Sequence, residues 1–552
     1  MNKILSFLAP VVFTLTVHAQ SVKPYSFAHL PKVAKTAFKA DTLSILKFGA
    51  KNDGVTLNTK SINDAIAACH KKGGGVVLIP KGLWITGPIE LKSNVNLHLQ
   101  KNAVLQFTKD FDQYPLVRSN WEGLPQMRNQ SPLWAVGQQN IAITGQGIID
   151  GGGDAWRMVK KEKLTESQWK KLTASGGVVS DDKKTWYPSQ GSLAASKLKN
   201  PGEITADKTP EFYAQVKDFL RPNLMVLTSC KRILLEGITF QNSAAWNLHP
   251  LMCEDLTVRD ITVKNPWYAQ NGDGIDLESC KNVLIEGSTF DVGDDGICIK
   301  SGRDAAGRKR AMPTENVIIR HSTVYHAHGG FVIGSEMSGG ARNIFVYDCT
   351  FIGTDIGLRF KTTRGRGGVV ENIHIKNINM MDIPGEAILF DMYYAAVDPI
   401  ALAGDKREAP KVEMLPVTEE TPVFRNFFID NVACDGAEKA IFIRGLPEMS
   451  ITNINLNNIN IKAKQGIDIQ EGKQINLSNV KLTTTHGNPV IHIQNGNAVS
   501  LRNISYTDAD LLFRISGDRN SSIKAWGVDT GKAKQKVEFL SGAAENVLQI
   551  YK

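Results

Sequence analysis

A four-residue phrase recurs along this chain and restricts its fold more than any other feature. It consists of a polar residue, an apolar one, any residue, and a second apolar one. It reads Asn140-Ile141-Ala142-Ile143, then Arg232-Ile233-Leu234-Leu235, Asp255-Leu256-Thr257-Val258 and Asn282-Val283-Leu284-Ile285. Further copies begin at Asn316, Asn343, Asn372, Asn426, Asn453, Gln474 and Ala498. Most intervals are about 21–34 residues, the length of one solenoid coil. Each copy alternates as a half-buried strand does, and Gly and Asn punctuate the gaps as turns require. Long helical periodicity is absent. Leucines do not recur at the spacing of a leucine-rich repeat, and propeller blades would be longer and more uniform. The expectation is an all-β chain wound as a right-handed, single-stranded parallel β-helix.

A solenoid must close its ends, because an uncovered first coil exposes the core. Ile62, Ala65, Ile66 and Cys69 share one face of a short capping helix, with Asn58 or Thr59 placed to cap its start and Gly73-Gly74-Gly75 to end it. From about 154 to 221 the strand pattern lapses in favour of Lys, Trp and Ser, with a helix-like stretch at 165–172. This reads as an insertion between coils, of the kind that walls a binding groove. Cys230, Cys253 and Cys280 each precede the phrase by two residues. Stacked coils would place them on successive rungs, as small core residues or within disulfide reach.

Residues 1–19 read as a secretory leader: Lys3, an apolar run to Val17, and a small residue, Ala19, at the cleavage point. No later segment is apolar for long enough to be a membrane helix. The mature chain is therefore expected outside the cytoplasm, periplasmic or extracellular, without membrane insertion. The formal net charge is +9, and +8 once Lys3 is removed, which suits an anionic partner. Seven cysteines cannot all pair, and nothing resembles a dense disulfide scaffold.

Two acidic motifs lie one coil apart. Asn271-Gly272-Asp273-Gly274-Ile275-Asp276 is followed by Gly293-Asp294-Asp295-Gly296, and Asp273 precedes Asp294 by 21 residues. Neighbouring rungs would bring Asp273, Asp294 and Asp295 together. Adjacent strand residues point to opposite faces, so both members of the pair face outward only if the backbone bends, for which Gly293 and Gly296 are suited. Mutual repulsion raises at least one carboxyl pKa, giving an acid beside ionised bases. A calcium loop fits poorly, since Ile275 and Gly293 stand where oxygen ligands are needed. His328 follows on a later coil, and one coil beyond it Arg359 and Lys361 share a strand face. Two fixed cations beside a carboxylate cluster suit a uronate group.

Together, Asn271-Gly272-Asp273, Asp294-Asp295, Ala327-His328-Gly329 and Arg359-Phe360-Lys361 resemble the four motifs of glycoside hydrolase family 28, the polygalacturonase family of pectin-lyase-like β-helices. The entry Phe48-Gly49-Ala50-Lys51-Asn52-Asp53-Gly54 is also similar, so the β-helix domain is placed at 41–552. The resemblance implies inverting hydrolysis of α-1,4-galacturonosyl bonds in pectic polysaccharide or oligogalacturonides. It implies Asp294 as general acid, Asp273 and Asp295 on the attacking water, and His328 tuning the acid. Asn271 would orient Asp273 or a sugar hydroxyl, Arg359 and Lys361 would bind a galacturonate carboxylate, and Tyr394 is a further substrate-binding candidate. An inverting site ordinarily separates its carboxyls by about 6.5–9.5 Å. No metal, organic cofactor or nucleic acid is implied, and a monomer is expected.

Ala327 replaces a Gly of the family pattern, and Gly296 stands where Cys is common, with Cys298 two residues on. Residues 302–313 form an extra Arg-rich loop, either solvated or adding positive potential over the groove. The phrase Gly334-Ser335-Glu336-Met337-Ser338-Gly339-Gly340 resembles exo-acting bacterial members. With the insertion, it points to a groove closed at one end. The alternatives are a rhamnogalacturonan hydrolase of the same family, a β-helix pectate lyase, and a non-catalytic sugar-binding solenoid.

Overall fold

The computed structural model describes residues 25–395 and 412–551, so the leader expected at residues 1–19 lies outside the described residues. Thirty-five strands form one continuous sheet, and each strand pairs in parallel with a strand of the next coil. The repeated phrase accounts for this stacking. Its first apolar residue forms one interior column, Ile233–Leu256–Val283–Val317–Ile344–Ile373–Phe427–Ile454–Ile475, each in register with the next. All of these side chains are buried. The fold is the parallel β-helix that the repeat predicts.

The polar residue that opens each phrase has a sharper role than punctuation. All eleven, from Asn140 to Ala498, sit at φ between 53° and 59°, in the left-handed region. Asn tolerates this conformation better than most residues. The chain turns a corner there, and the stacked amides bond to one another: Asn316 donates to Asn282 at 3.1 Å, and Asn453 donates to Asn426 at 2.8 Å. A second corner five residues on repeats the device, with Asn377 donating to Asp348 and Asn431 to Asn377.

The lid helix is Thr59–Lys71, and its four expected apolar residues are buried. Neither proposed cap works as expected. The Asn58 side chain accepts from Lys51 N–H and donates to the Lys51, Thr56 and Ile85 carbonyls, and the Thr59 hydroxyl accepts from Gly87 N–H. Cys230, Cys253 and Cys280 do stack inside. All seven cysteines are unpaired, and the Cys253 and Cys280 thiols donate to Leu227 and Pro250 carbonyls instead of bridging. Among the described residues no helix is long and apolar enough to cross a membrane.

The segment at 154–221 carries helices Glu166–Ala174, Gln190–Ser196 and Pro210–Gln215 and a small antiparallel sheet. A capping box between Thr165 and Gln168 starts the first helix. Val159, Trp169 and Trp186 give the segment a core of its own. A second excursion has no counterpart in the sequence reading. Strands Leu116–Trp121 and Leu124–Asn129 form an antiparallel hairpin that turns at Glu122-Gly123, both with positive φ.

Candidate active site

On one face of the solenoid, strands Leu248–Leu251, Ile275–Glu278, Ile297–Lys300, Phe331–Ile333 and Leu358–Lys361 lie on consecutive rungs. Alternation points Ile275, Leu277, Ile297 and Ile299 into the core, and Asp276, Glu278, Cys298 and Lys300 outward. Yet every residue of these strands is buried, and Glu122 of one excursion and Met158 and Lys163 of the other line the cavity above them.

The carboxylate trio sits where the chain enters these strands. Rung-to-rung bonds stack the entering turns: Gly274 N–H donates to Asp295 C=O at 2.9 Å, and His328 N–H to Asp294 C=O at 3.0 Å. One oxygen from each of Asp273, Asp294 and Asp295 lies within 4.8 Å of the other two. One bend and its neighbouring rung hold the three carboxylates together. The bend at 293–296 is present, but Gly293 and Gly296 do not adopt left-handed φ. They are needed for space. A Cβ on Gly293 would lie 2.5 Å from Pro266 O, and one on Gly296 would lie 2.4 Å from a Val324 methyl.

Each carboxylate has a different environment. Burial opposes the charge on Asp295, but Lys361 at 2.6 Å and Arg359 at 3.1 Å outweigh it and hold the group ionised, below the usual range. Burial also opposes charge on Asp294, and His328, 3.3 Å away, overrides it, so Asp294 too is held well below the usual range. His328 is raised in return: burial opposes its charge, and Asp294 with Asp355 prevails. Among the described residues, no cation forms an ion pair with Asp273. Burial, then the nearby Asp276 and Asp294, push it well above the usual range. The expected repulsion therefore raises Asp273, and not the proposed acid Asp294.

Asp276 received no role from the sequence. It is fully buried, both its oxygens lack a hydrogen-bond partner among the described residues, and Lys300 Nζ lies 3.6 Å away. Lys300 also donates to Glu336 at 2.9 Å and lies 4.9 Å from the centre of the Trp246 ring. The available signal was the period-2 alternation of Ile297-Cys298-Ile299-Lys300, which puts a lysine on the trio's side of the sheet.

A cavity of about 290 Å³ opens over the trio, and Asn271, His328, Arg359, Lys361 and Tyr394 all line it. The Asn271 side-chain carbonyl accepts from Arg221 at 2.9 Å. Tyr394 lies beside both cations, its ring centre 4.9 Å from Lys361 and 5.8 Å from Arg359. Met158, Lys160 and Lys163 of the insertion form one wall, beside Trp267 and Tyr268. The hairpin tip forms another: Glu122 pairs with Arg303 at 3.3 Å, and Arg303 N–H donates to Gly123 C=O. The Arg-rich stretch is only partly what either expectation held. Asp304–Arg310 is a short helix, Arg310 binds buried Glu278 at 2.6 Å, and Arg308 binds Gly365 C=O, leaving Arg303 to face the cavity.

The trio could meet a cation geometrically, but the charge of Asp294 and Asp295 is already balanced by His328, Arg359 and Lys361. Three carboxylates, a protonatable imidazole and fixed cations in one walled cavity can deliver a proton, activate water and hold an anionic ring.

Residues 213–421 match Glycosyl hydrolases family 28, and residues 42–190 match Rhamnogalacturonase A/epimerase, pectate lyase-like. A probable polygalacturonase of Vitis vinifera is 27% identical over 83% of this chain and 82% of that protein. An exo-poly-alpha-D-galacturonosidase of Dickeya chrysanthemi is 28% identical over 64% of this chain and 57% of its own length. The crystal structure of a hyperthermoactive exopolygalacturonase from Thermotoga maritima superposes with TM-score 0.65 and 30% identity, covering 82% of this chain and 94% of that one.

Proposed function

This chain belongs to glycosyl hydrolase family 28 and is a glycoside hydrolase, and from that premise we propose that it hydrolyses α-1,4-galacturonosyl bonds from the end of a pectic chain. The observation that carries the proposal is the walled cavity in which Asp273, Asp294 and Asp295 lie beside Arg359, Lys361 and Tyr394. The cations and Tyr394 receive a uronosyl ring, using donors that Asp295 leaves free. Asp294 and His328 share one proton, and Asp294 passes it to the leaving oxygen as the C1–O bond breaks. Water attacks C1 with inversion and gives its proton to the ionised Asp295, with Asp273 beside it positioning the water. The Glu122–Arg303 contact and the insertion close one end of the cavity, which favours exo-action. The leader at residues 1–19 supports export, periplasmic or extracellular, and the chain acts as a monomer with the β-helix domain at 41–552.

The raised Asp273 favours a second reading, in which Asp273 is the acid and Asp294 or Asp295 the base. Aryl galacturonides with good leaving groups separate the two. Loss of the true acid is largely rescued on them, so Asp294→Asn recovers in the first reading and Asp273→Asn in the second. Digestion of homogalacturonan beside rhamnogalacturonan tests the substrate. Saturated galacturonate products from homogalacturonan alone support the proposal. Products from rhamnogalacturonan alone, or unsaturated products absorbing in the ultraviolet, contradict it.

A further inference from the structure

The insertion brings the cavity a cation, and the coil turn at 266–269 an aromatic face, that the catalytic reading leaves unused. Trp267 is 54% exposed, yet it lines the cavity that holds the trio. Lys163 lines the same cavity, with its Nζ 5.4 Å from the Trp267 ring centre and no ion pair among the described residues. Arg359 and Lys361, by contrast, each already pair with Asp295 and offer only their remaining donors.

Both groups are held from behind. Lys163 ends the 3-10 turn Lys161–Lys163, and Thr165 then opens a capped helix. Tyr268, next to Trp267, packs on the Val159–Trp169–Trp186 core of the insertion. The turn carrying Trp267 closes through Ala269 N–H to Pro266 C=O at 2.8 Å and rests against Gly293, beside Asp294. The two groups are thus fixed relative to each other and to the trio.

We propose that Trp267 and Lys163 form a second uronate-recognition shelf, distinct from Arg359 and Lys361, which holds another ring of the same chain at the cavity mouth. A galacto-configured uronosyl ring carries its H3, H4 and H5 on one face. That face lies on the indole, while its carboxylate meets the Lys163 ammonium. The shelf rests on the proposed function, since it presumes a uronic acid chain, and it makes affinity depend on chain length and on free carboxylates.

The test compares Lys163→Ala, Trp267→Ala and Trp267→Phe on galacturonate oligomers of two to five residues and on their methyl esters. Lys163→Ala should raise KM about fivefold on the acids, with kcat held and a much smaller effect on the esters. Trp267→Ala should raise KM about tenfold on both, and Trp267→Phe should retain most of the affinity. Thermal midpoints should match the unsubstituted protein. Unchanged KM values, or equal effects of Lys163→Ala on acids and esters, would overturn the shelf. If the unsubstituted enzyme cleaves no homogalacturonan, the catalytic reading fails by itself. Equilibrium binding then decides the shelf: preference for the acids over neutral galactose oligomers, lost in Lys163→Ala, supports it, and no preference overturns it.

Discussion

The same sheet face behaves differently in the two halves of this solenoid. Around the trio it is made of short strands such as Ile275–Glu278 and Leu358–Lys361, buried on both sides. From Val369 to Gln470 three strands, Val369–Asp391, Val423–Arg444 and Ile451–Gln470, run unbroken for 20 to 23 residues around the corners. In this half the same face alternates buried and half-exposed, as in Ile491–Gln494. One register column passes from Arg359 through Leu389 and Phe442 to Asp468. Arg359 and Asp468 thus occupy equivalent places, and only Arg359 lies under a wall. The difference teaches that rung geometry supplies the positions and that the interruptions between rungs supply the chemistry. Desolvation beneath a wall turns ordinary outward-facing charges into strongly coupled ones.

The comparison breaks most readily at the trio. Asp294→Asn should lower kcat on polygalacturonate about 10³-fold, whereas Asp468→Asn should leave it within about twofold; steady-state rates decide. Next comes a pair of ion-pair deletions read by denaturant unfolding. Arg359→Ala leaves Asp295 buried with one partner fewer and should cost about 3–5 kcal/mol. Arg444→Ala removes a partly solvated pair with Asp391 and should cost about 1 kcal/mol or less.

The acid side of the stability profile should come from the walled half. Glu336 is held down at about 2 because Lys300 and Arg366 outweigh its burial. Its contribution, on the order of 3 kcal/mol, is present above about pH 4.5 and is lost as pH falls towards 2. Glu336→Gln should flatten that limb in melts at a series of pH values. His328 has the opposite sign: its raised pKa stabilises below its unfolded value near 6.5, and the gain disappears as pH rises through the folded value. The corners make a separate, local test. Asn453→Ala should cost about 1–2 kcal/mol through its left-handed φ and the lost amide bonds to Asn426 and Asn455, and Asn453→Gly less, because only the bonds are lost.

The sequence carries the solenoid clearly, because period and alternation are local signals that every coil repeats. It also brings the trio together, since one coil of spacing separates Asp273 from Asp294. The proton distribution was not legible. It depends on His328, Lys361 and Arg359 reaching particular oxygens, and on Asp276 lying buried beside Asp273, which spacing does not specify. Nor was the hairpin at 116–129 readable, because Glu122-Gly123 is an ordinary turn pair until Arg303, far along the chain, meets it. The glycines at 293 and 296 were read as bends, while their requirement is room for a neighbouring turn and side chain.

The claim that a wall at one end of the groove makes this enzyme a chain-end hydrolase is tested most directly by the products formed from polygalacturonate in the first minutes of digestion. Galacturonate monomer or dimer from the earliest samples, with long chains otherwise intact, is the predicted result. An early ladder of mixed lengths would contradict it.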